Sequence, residues 1–261
     1  ALRSLELPVE ELQQRLAVFE QKIAEIQRER VAAGDLLAGD WKRSHEFLEA
    51  HAEQLRGKMR VYLDGVIEET LARNGHDLPS EATLQSALAA AIPGYCEHHV
   101  GGTTAQLARH VVDVLRPHQQ RADHLIETVR RTAAELFDVP YHAPESSGAF
   151  ELVEQPYWVT HKWSAQLIPF PPGLLESILS PDARKRRLRK RLGEQMGQLV
   201  IANVEKIRWA AYQSLDQTFR RFTGTLDERL AATIAATHGA IRAALDKRQQ
   251  HRAAVAKDIA R

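Results

Sequence analysis

The chain has 261 residues, 44% of them hydrophobic and only 6% aromatic, and Ala, Leu, Glu, Gln, Arg and Lys dominate, which is enough apolar matter for a core and the composition of helices rather than sheets. Its formal net charge of +1 hides a division: residues 181–261 carry 18 Lys/Arg against 8 Asp/Glu, a net of +10, and residues 1–180 carry 17 against 26, a net of −9, so the positive end requires an anionic partner or acidic helices beside it. One cysteine, Cys96, excludes an intramolecular disulfide, and no stretch approaches the roughly 20 apolar residues of a spanning helix.

From Val9 the apolar positions Leu12, Leu16, Phe19, Ile23 and Ile26 follow at spacings of three and four, a heptad seam that predicts a long helix in a bundle or coiled coil. Pro8 suits a first turn. Gly34 and Gly39, in "AAGDLLAGDWKR", each weaken the helix by about 1 kcal/mol relative to Ala and mark an expected kink or hinge. The stripe resumes with Leu48, Ala52, Leu55, Met59, Tyr62 and Val66 and stops at "RNGHDLP", where Gly75 and Pro79 end it.

A short helix is expected over about Ser80 to Ala91, then a turn at "IPGYCEHHVGG", then a long helix from near Thr103. The stripe of that helix is Leu107, Val111, Val114, Ala122, Leu125, Val129 and Leu136; Pro117 should bend it, and it should end before Pro140. The segment "VPYHAPESSGAFELVEQPYWVTHKWSAQLIPFPPG" has no helical period and carries Tyr157, Trp158, Trp163 and Phe170. After Ser180 and Pro181 the positions Leu188, Leu192, Met196, Leu199, Asn203, Ile207, Ala211, Leu215, Phe219, Phe222, Leu226, Leu230 and Ile234 sustain helical spacing almost to the end. Some 70 such residues span roughly 100 Å.

The expected fold is therefore all-α, an elongated bundle of long antiparallel helices with an irregular hydrophobic tip. Residues 1–138 form an outgoing limb, 139–180 the tip and 181–261 a returning basic limb. The chain begins without Met and ends in a helical pattern, "AAVAKDIAR", so it is expected to be cut from something larger.

Enzyme chemistry finds little support. No GxxxxGK[ST] and no GxGxxG occurs, so the chain offers no nucleotide cradle, and no catalytic residue is assigned. Cys96, His98 and His99 stand together in "GYCEHHVGG", but without a CxxC or HxxxH pair they make no metal site, and no third group orients Cys96 as a nucleophile. The informative stretch is "QLIPFPPGLLESILSPDARKRRLRKR", Gln166 to Arg191, in which a proline-broken apolar run precedes seven cations in eight residues: Arg184, Lys185, Arg186, Arg187, Arg189, Lys190 and Arg191. An apolar wedge beside cations suits anionic lipid headgroups, where each Lys or Arg contributes about 1 kcal/mol. Leu167, Ile168, Phe170, Leu174, Leu175, Ile178 and Leu179 would enter the interface, with Trp158 and Trp163 at headgroup level. The competing reading makes the apolar residues a plug at the end of the bundle and leaves the arginines solvated. Nucleic acid is disfavoured as a partner, because no aromatics interleave the basic run.

The stretches from Leu7 to Arg56 and from Pro156 to Phe222 resemble the helical region that follows the GTPase domain in bacterial dynamin-like proteins. An aromatic pair in "PYWV", the apolar proline-containing segment, the basic helix start, and Asn203 with Arg208–Trp209 come in the family's order. The resemblance implies a helical neck and trunk that support self-assembly, a tip from Trp158 to Leu179 with its basic collar, and a hinge at Gly34 and Gly39. It also implies a GTPase domain elsewhere in the parent chain that would hold GTP and Mg, whereas this chain itself carries no cofactor. The implied location is cytoplasmic, peripheral at the inner face of the cell membrane, with homo-oligomers on an anionic surface. A helical scaffold that dimerises through its heptads, and a pore-forming helical toxin, are the alternatives.

Overall fold

Leu12, Phe19, Ile23 and Ile26 recur at helical spacing and all four are buried; packing of such a stripe, more than intrinsic propensity, is what stabilises a helix in a protein. In the computed structural model, which describes residues 9–73, 79–137 and 180–259, they open α1 (Val9–Arg73), which is followed by α2 (Glu81–Phe137) and α3 (Pro181–Ile259). The described residues hold no strand. α1 stops and α2 starts on either side of the expected break, and Ser80 caps α2 by accepting the Thr83 N–H at 3.1 Å. Ser180 repeats the device on α3, its hydroxyl accepting from Ala183 N–H at 3.4 Å, with Pro181 in the first helical position.

The expected turn at "IPGYCEHHVGG" and the separate helix from Thr103 do not form. α2 passes uninterrupted through Pro93, Gly94, Gly101, Gly102 and Pro117. The reason is phase across each breaker: Ile92 and Cys96, on either side of Pro93–Gly94, are four residues apart, Cys96 and Leu107, on either side of Gly101–Gly102, are 11 residues or about three turns apart, and all are buried, so core packing outweighs local propensity. The seam of α1 is also corrected. Tyr62 is 43% exposed and Val66 only flanks the core, whereas Leu63, Ile67 and Leu71 are buried.

The three helices contribute to two compact units. Residues 9–41, 112–137 and 218–259 form the first, with a core that includes Phe19, Ile23, Ile26, Leu125, Val129, Phe137, Leu230 and Ile241. The Phe137 ring meets Phe19 edge-on at 5.9 Å between centroids. Polar contacts set the register: Arg30 Nε donates to Asp227 at 2.7 Å, Arg229 to Asp123 at 2.9 Å, Arg15 to the Leu136 carbonyl at 2.9 Å, and His118 Nε2 lies 2.7 Å from an Asp40 carboxylate oxygen.

Residues 42–73, 79–111 and 180–217 form the second unit, whose core includes Met59, Leu63, Leu84, Leu88, Ile92, Leu192, Met196, Val200 and Val204. Here Arg208 donates to Glu49 at 2.7 Å, Arg56 to Glu205 at 3.1 Å, and His45 Nε2 lies 3.1 Å from Asp216. Many polar side chains inside the helices bond their own helix instead. The hydroxyls of Thr70, Thr223 and Thr237 donate to the carbonyl four residues back at 2.7, 2.9 and 2.7 Å. The Asn203 amide, fully buried, donates in the same way to Leu199 at 3.0 Å.

Candidate anion-binding site on α3

Seven cations in eight residues can share a helix only if one side of it is anchored elsewhere. Leu188 and Leu192, 7% and 0% exposed, bury that side of α3 in the core of the second unit. Arg186 and Lys190 stand nearly opposite Leu188 at 3.6 residues per turn, and Arg184, Lys185, Arg186, Arg187, Arg189 and Lys190 are all exposed. Positive charge is unfavourable at a helix N-terminus, by about 0.3–1 kcal/mol per group in the first turn. Asp182, in that turn, and the Ser180 cap offset part of this.

Acidic partners account for part of the run. Arg189 pairs with Glu68 of α1 at 2.7 Å and Arg191, half-buried, with Glu81 of α2 at 3.4 Å. Arg184, Lys185, Arg186, Arg187 and Lys190 make no ion pair with any described residue. The result is a collar, next to the start of α2, of five cations with no ion-pair partner among the described residues and two that pair with Glu68 and Glu81. Its chemistry is electrostatic: it can bind an anionic surface or polyanion and offers no nucleophile or proton-transfer group.

Comparison of the chain with protein-family models, curated proteins and solved structures returns no match. The positions that carry the resemblance to bacterial dynamin-like proteins nevertheless have defined environments. Asn203 is buried. Arg208 lies between Glu205 and Glu49, whose hydrogen bonds hold its guanidinium above its ordinary pKa. Trp209 is 60% exposed and stacks on Tyr212 at 6.3 Å between centroids. Gly34 and Gly39 both lie within α1, the first unit ending at Trp41 on that helix. Trp158, Trp163, Leu167, Ile168, Phe170, Leu174, Leu175, Ile178 and Leu179 fall outside the described residues.

The Cys–His cluster resolves into packing. Cys96 is 2% exposed, and burial, helped by the Glu97 charge, pushes its thiol up to about 11, which keeps it protonated, and so a poor nucleophile, near neutral pH. The His99 ring stacks on Tyr95 at 4.0 Å, and its Nδ1 lies 3.0 Å from the Tyr95 carbonyl oxygen. His110 Nε2 lies 3.2 Å from the Ser44 hydroxyl, and its ring stacks on Phe47. Among the described residues no group of three or more His, Cys, Asp or Glu is placed to hold a metal ion, and no described helix is long and apolar enough to cross a membrane.

The collar was readable from sequence because charge density is local. Its two anchors, Glu68 and Glu81, were not, since nothing at either position marks it as the partner of a residue more than a hundred positions away.

Proposed function

We propose that this chain is the helical stalk of a dynamin-like membrane-remodelling GTPase, which self-assembles through its helices and contacts anionic lipid through the α3 collar and the apolar segment before it. The observation that carries the reading is the set of five exposed cations on α3 without a carboxylate partner among the described residues. The motif order from Leu7 to Phe222 adds the family. On this reading the helices form an elongated antiparallel bundle, Gly34 and Gly39 act as a hinge, and Trp158 to Leu179 make the tip. GTP hydrolysis belongs to a domain of the parent chain, and the location is the cytoplasmic face of the cell membrane.

One observation favours a second reading, a helical scaffold with no lipid contact: the Arg189–Glu68 and Arg191–Glu81 pairs show α1 and α2 supplying anions to the same run. Vesicle co-sedimentation separates the two. The proposed function requires binding to vesicles containing phosphatidylserine, none to phosphatidylcholine alone, and weakening as salt shortens the screening length. It also requires loss of binding in Phe170→Asp with Leu174→Asp. Equal sedimentation with neutral and anionic vesicles, or none with either, refutes it in favour of the scaffold.

A further inference from the structure

The first unit contains a cavity that the proposed function does not use. Leu37, Leu125, Leu226 and Leu230 line it with Gly34 and Ala122, Thr223 and Asp227 complete its rim, it opens to solvent where Gly34 and Thr223 are exposed, and about 70 Å³ of it is open to the centre of a water-sized sphere. It exists because the residues facing these leucines are small: a Cβ placed on Gly34 meets nothing within 4 Å. Gly34 thus acquires a role in shaping this space.

Three basic side chains also border the cavity, and two are occupied. Arg30 is held by Asp227 at 2.7 Å and His118 by Asp40 at 2.7 Å. Arg121, half-buried, lines the same space and forms no ion pair with a described residue. The four leucines give water few partners in the inner part of the space, so an apolar occupant is favoured there over a water cluster, while the polar residues stand at its rim. The volume would take about five waters, and a methylene fills about as much space as a water, which sets a tail of about five carbons. With Asp227 engaged by Arg30, Arg121 is the border cation that has no ion-pair partner among the described residues, and it favours a negative head.

We propose that this cavity binds a short aliphatic carboxylate, its chain on the four leucines and its carboxylate on Arg121. The site is independent of the collar and of the lipid reading.

Titration calorimetry of the whole chain with hexanoate, and with hexan-1-ol as the uncharged equivalent, tests this. Hexanoate is expected to bind saturably at one site per chain and at least tenfold tighter than hexan-1-ol. Arg121→Gln should cost hexanoate about tenfold and leave hexan-1-ol unchanged. Gly34→Leu, which grows a side chain into the space, should abolish both while the helical circular dichroism is retained; if that variant fails to fold, Ala122→Leu serves the same purpose from the facing helix. The proposal is overturned if hexanoate shows no saturable binding, if the alcohol binds as tightly as the acid, or if a folded cavity-filling variant still binds.

Discussion

Replacing Arg186 and Arg187 by Glu should make the chain more stable and, on the proposed function, weaken its binding to anionic vesicles. Both residues are exposed and lack a carboxylate partner among the described residues, so the substitution removes no native ion pair. Arg186 stands four residues before Lys190. A like-charge pair at that spacing costs about 0.2–0.5 kcal/mol, and a Glu four residues ahead of a Lys contributes as much in the favourable sense, so the swing is about 0.4–1 kcal/mol. Arg187 adds a smaller share, because Arg191, four residues on, is already engaged by Glu81. A total near 1 kcal/mol corresponds to a rise of about 2–4 °C in Tm for a chain of this size. Binding moves the other way. At about 1 kcal/mol per cation near an anionic surface, two lost cations and two new anions amount to about 4 kcal/mol, a loss on the order of a thousandfold. Differential scanning fluorimetry at low and physiological salt, with vesicle co-sedimentation of the same samples, reads both. The reasoning fails if Tm falls, or if the variant partitions onto phosphatidylserine vesicles as the parent does.

The continuity of α2 is testable at its weakest point. Gly101→Ala with Gly102→Ala should raise stability by about 2 kcal/mol, since each helical Gly costs about 1 kcal/mol and a Cβ at either position meets open space; a lower melting temperature would mean the helix is broken there. Cys96 sets an alkaline limit. Its thiol keeps its proton to about pH 11 when folded and only to about pH 8.5 when unfolded, so the stability it contributes is complete below about pH 8.5 and is lost as pH rises through 11. Tyr95, raised mainly by burial, acts in the same direction. Melting temperatures should be level from pH 6 to 8 and fall above pH 9, less steeply in Cys96→Ala. Iodoacetamide at pH 8 should leave Cys96 unlabelled until denaturant is added, and rapid labelling of the native chain would contradict its burial.

The sequence readings succeeded where the signal is local and periodic. The α1 stripe from Leu12 to Ile26, the end of α1 before Gly75 and Pro79, the Ser180–Pro181 start of α3 and the burial of Leu188 through Phe222 all follow from spacing and caps. They failed where punctuation and phase disagree. Pro93–Gly94 and Gly101–Gly102 each argue for a turn, but the apolar phase from Leu84 to Leu115 runs past them, and only the partner surfaces on α1 and α3 decide which wins. Tyr62 and Leu63 are neighbours, and spacing alone could not say which one faces the core. The collar announced itself by composition. The cavity did not, because it arises from a glycine and an alanine meeting leucines that lie roughly 90 to 200 positions away on other helices.

The self-directed hydrogen bonds of the threonines and of Asn203 have a mechanical consequence. A side chain that bonds its own helix is indifferent to where the neighbouring helix stands along its axis, and a heptad-spaced seam looks nearly the same after a displacement of seven residues, about 10.5 Å. Within each unit that degeneracy is lifted chiefly by the charged pairs between helices, Arg30–Asp227 and Asp123–Arg229 in one, Glu49–Arg208, Arg56–Glu205 and Glu68–Arg189 in the other. Exposed pairs of this kind contribute about 0–1 kcal/mol each. Pulling two helices apart sideways forfeits a whole apolar stripe, whereas shearing them past one another forfeits those few pairs and is largely repaid one heptad later. Each unit should therefore be stiff against lateral separation and comparatively compliant under axial load.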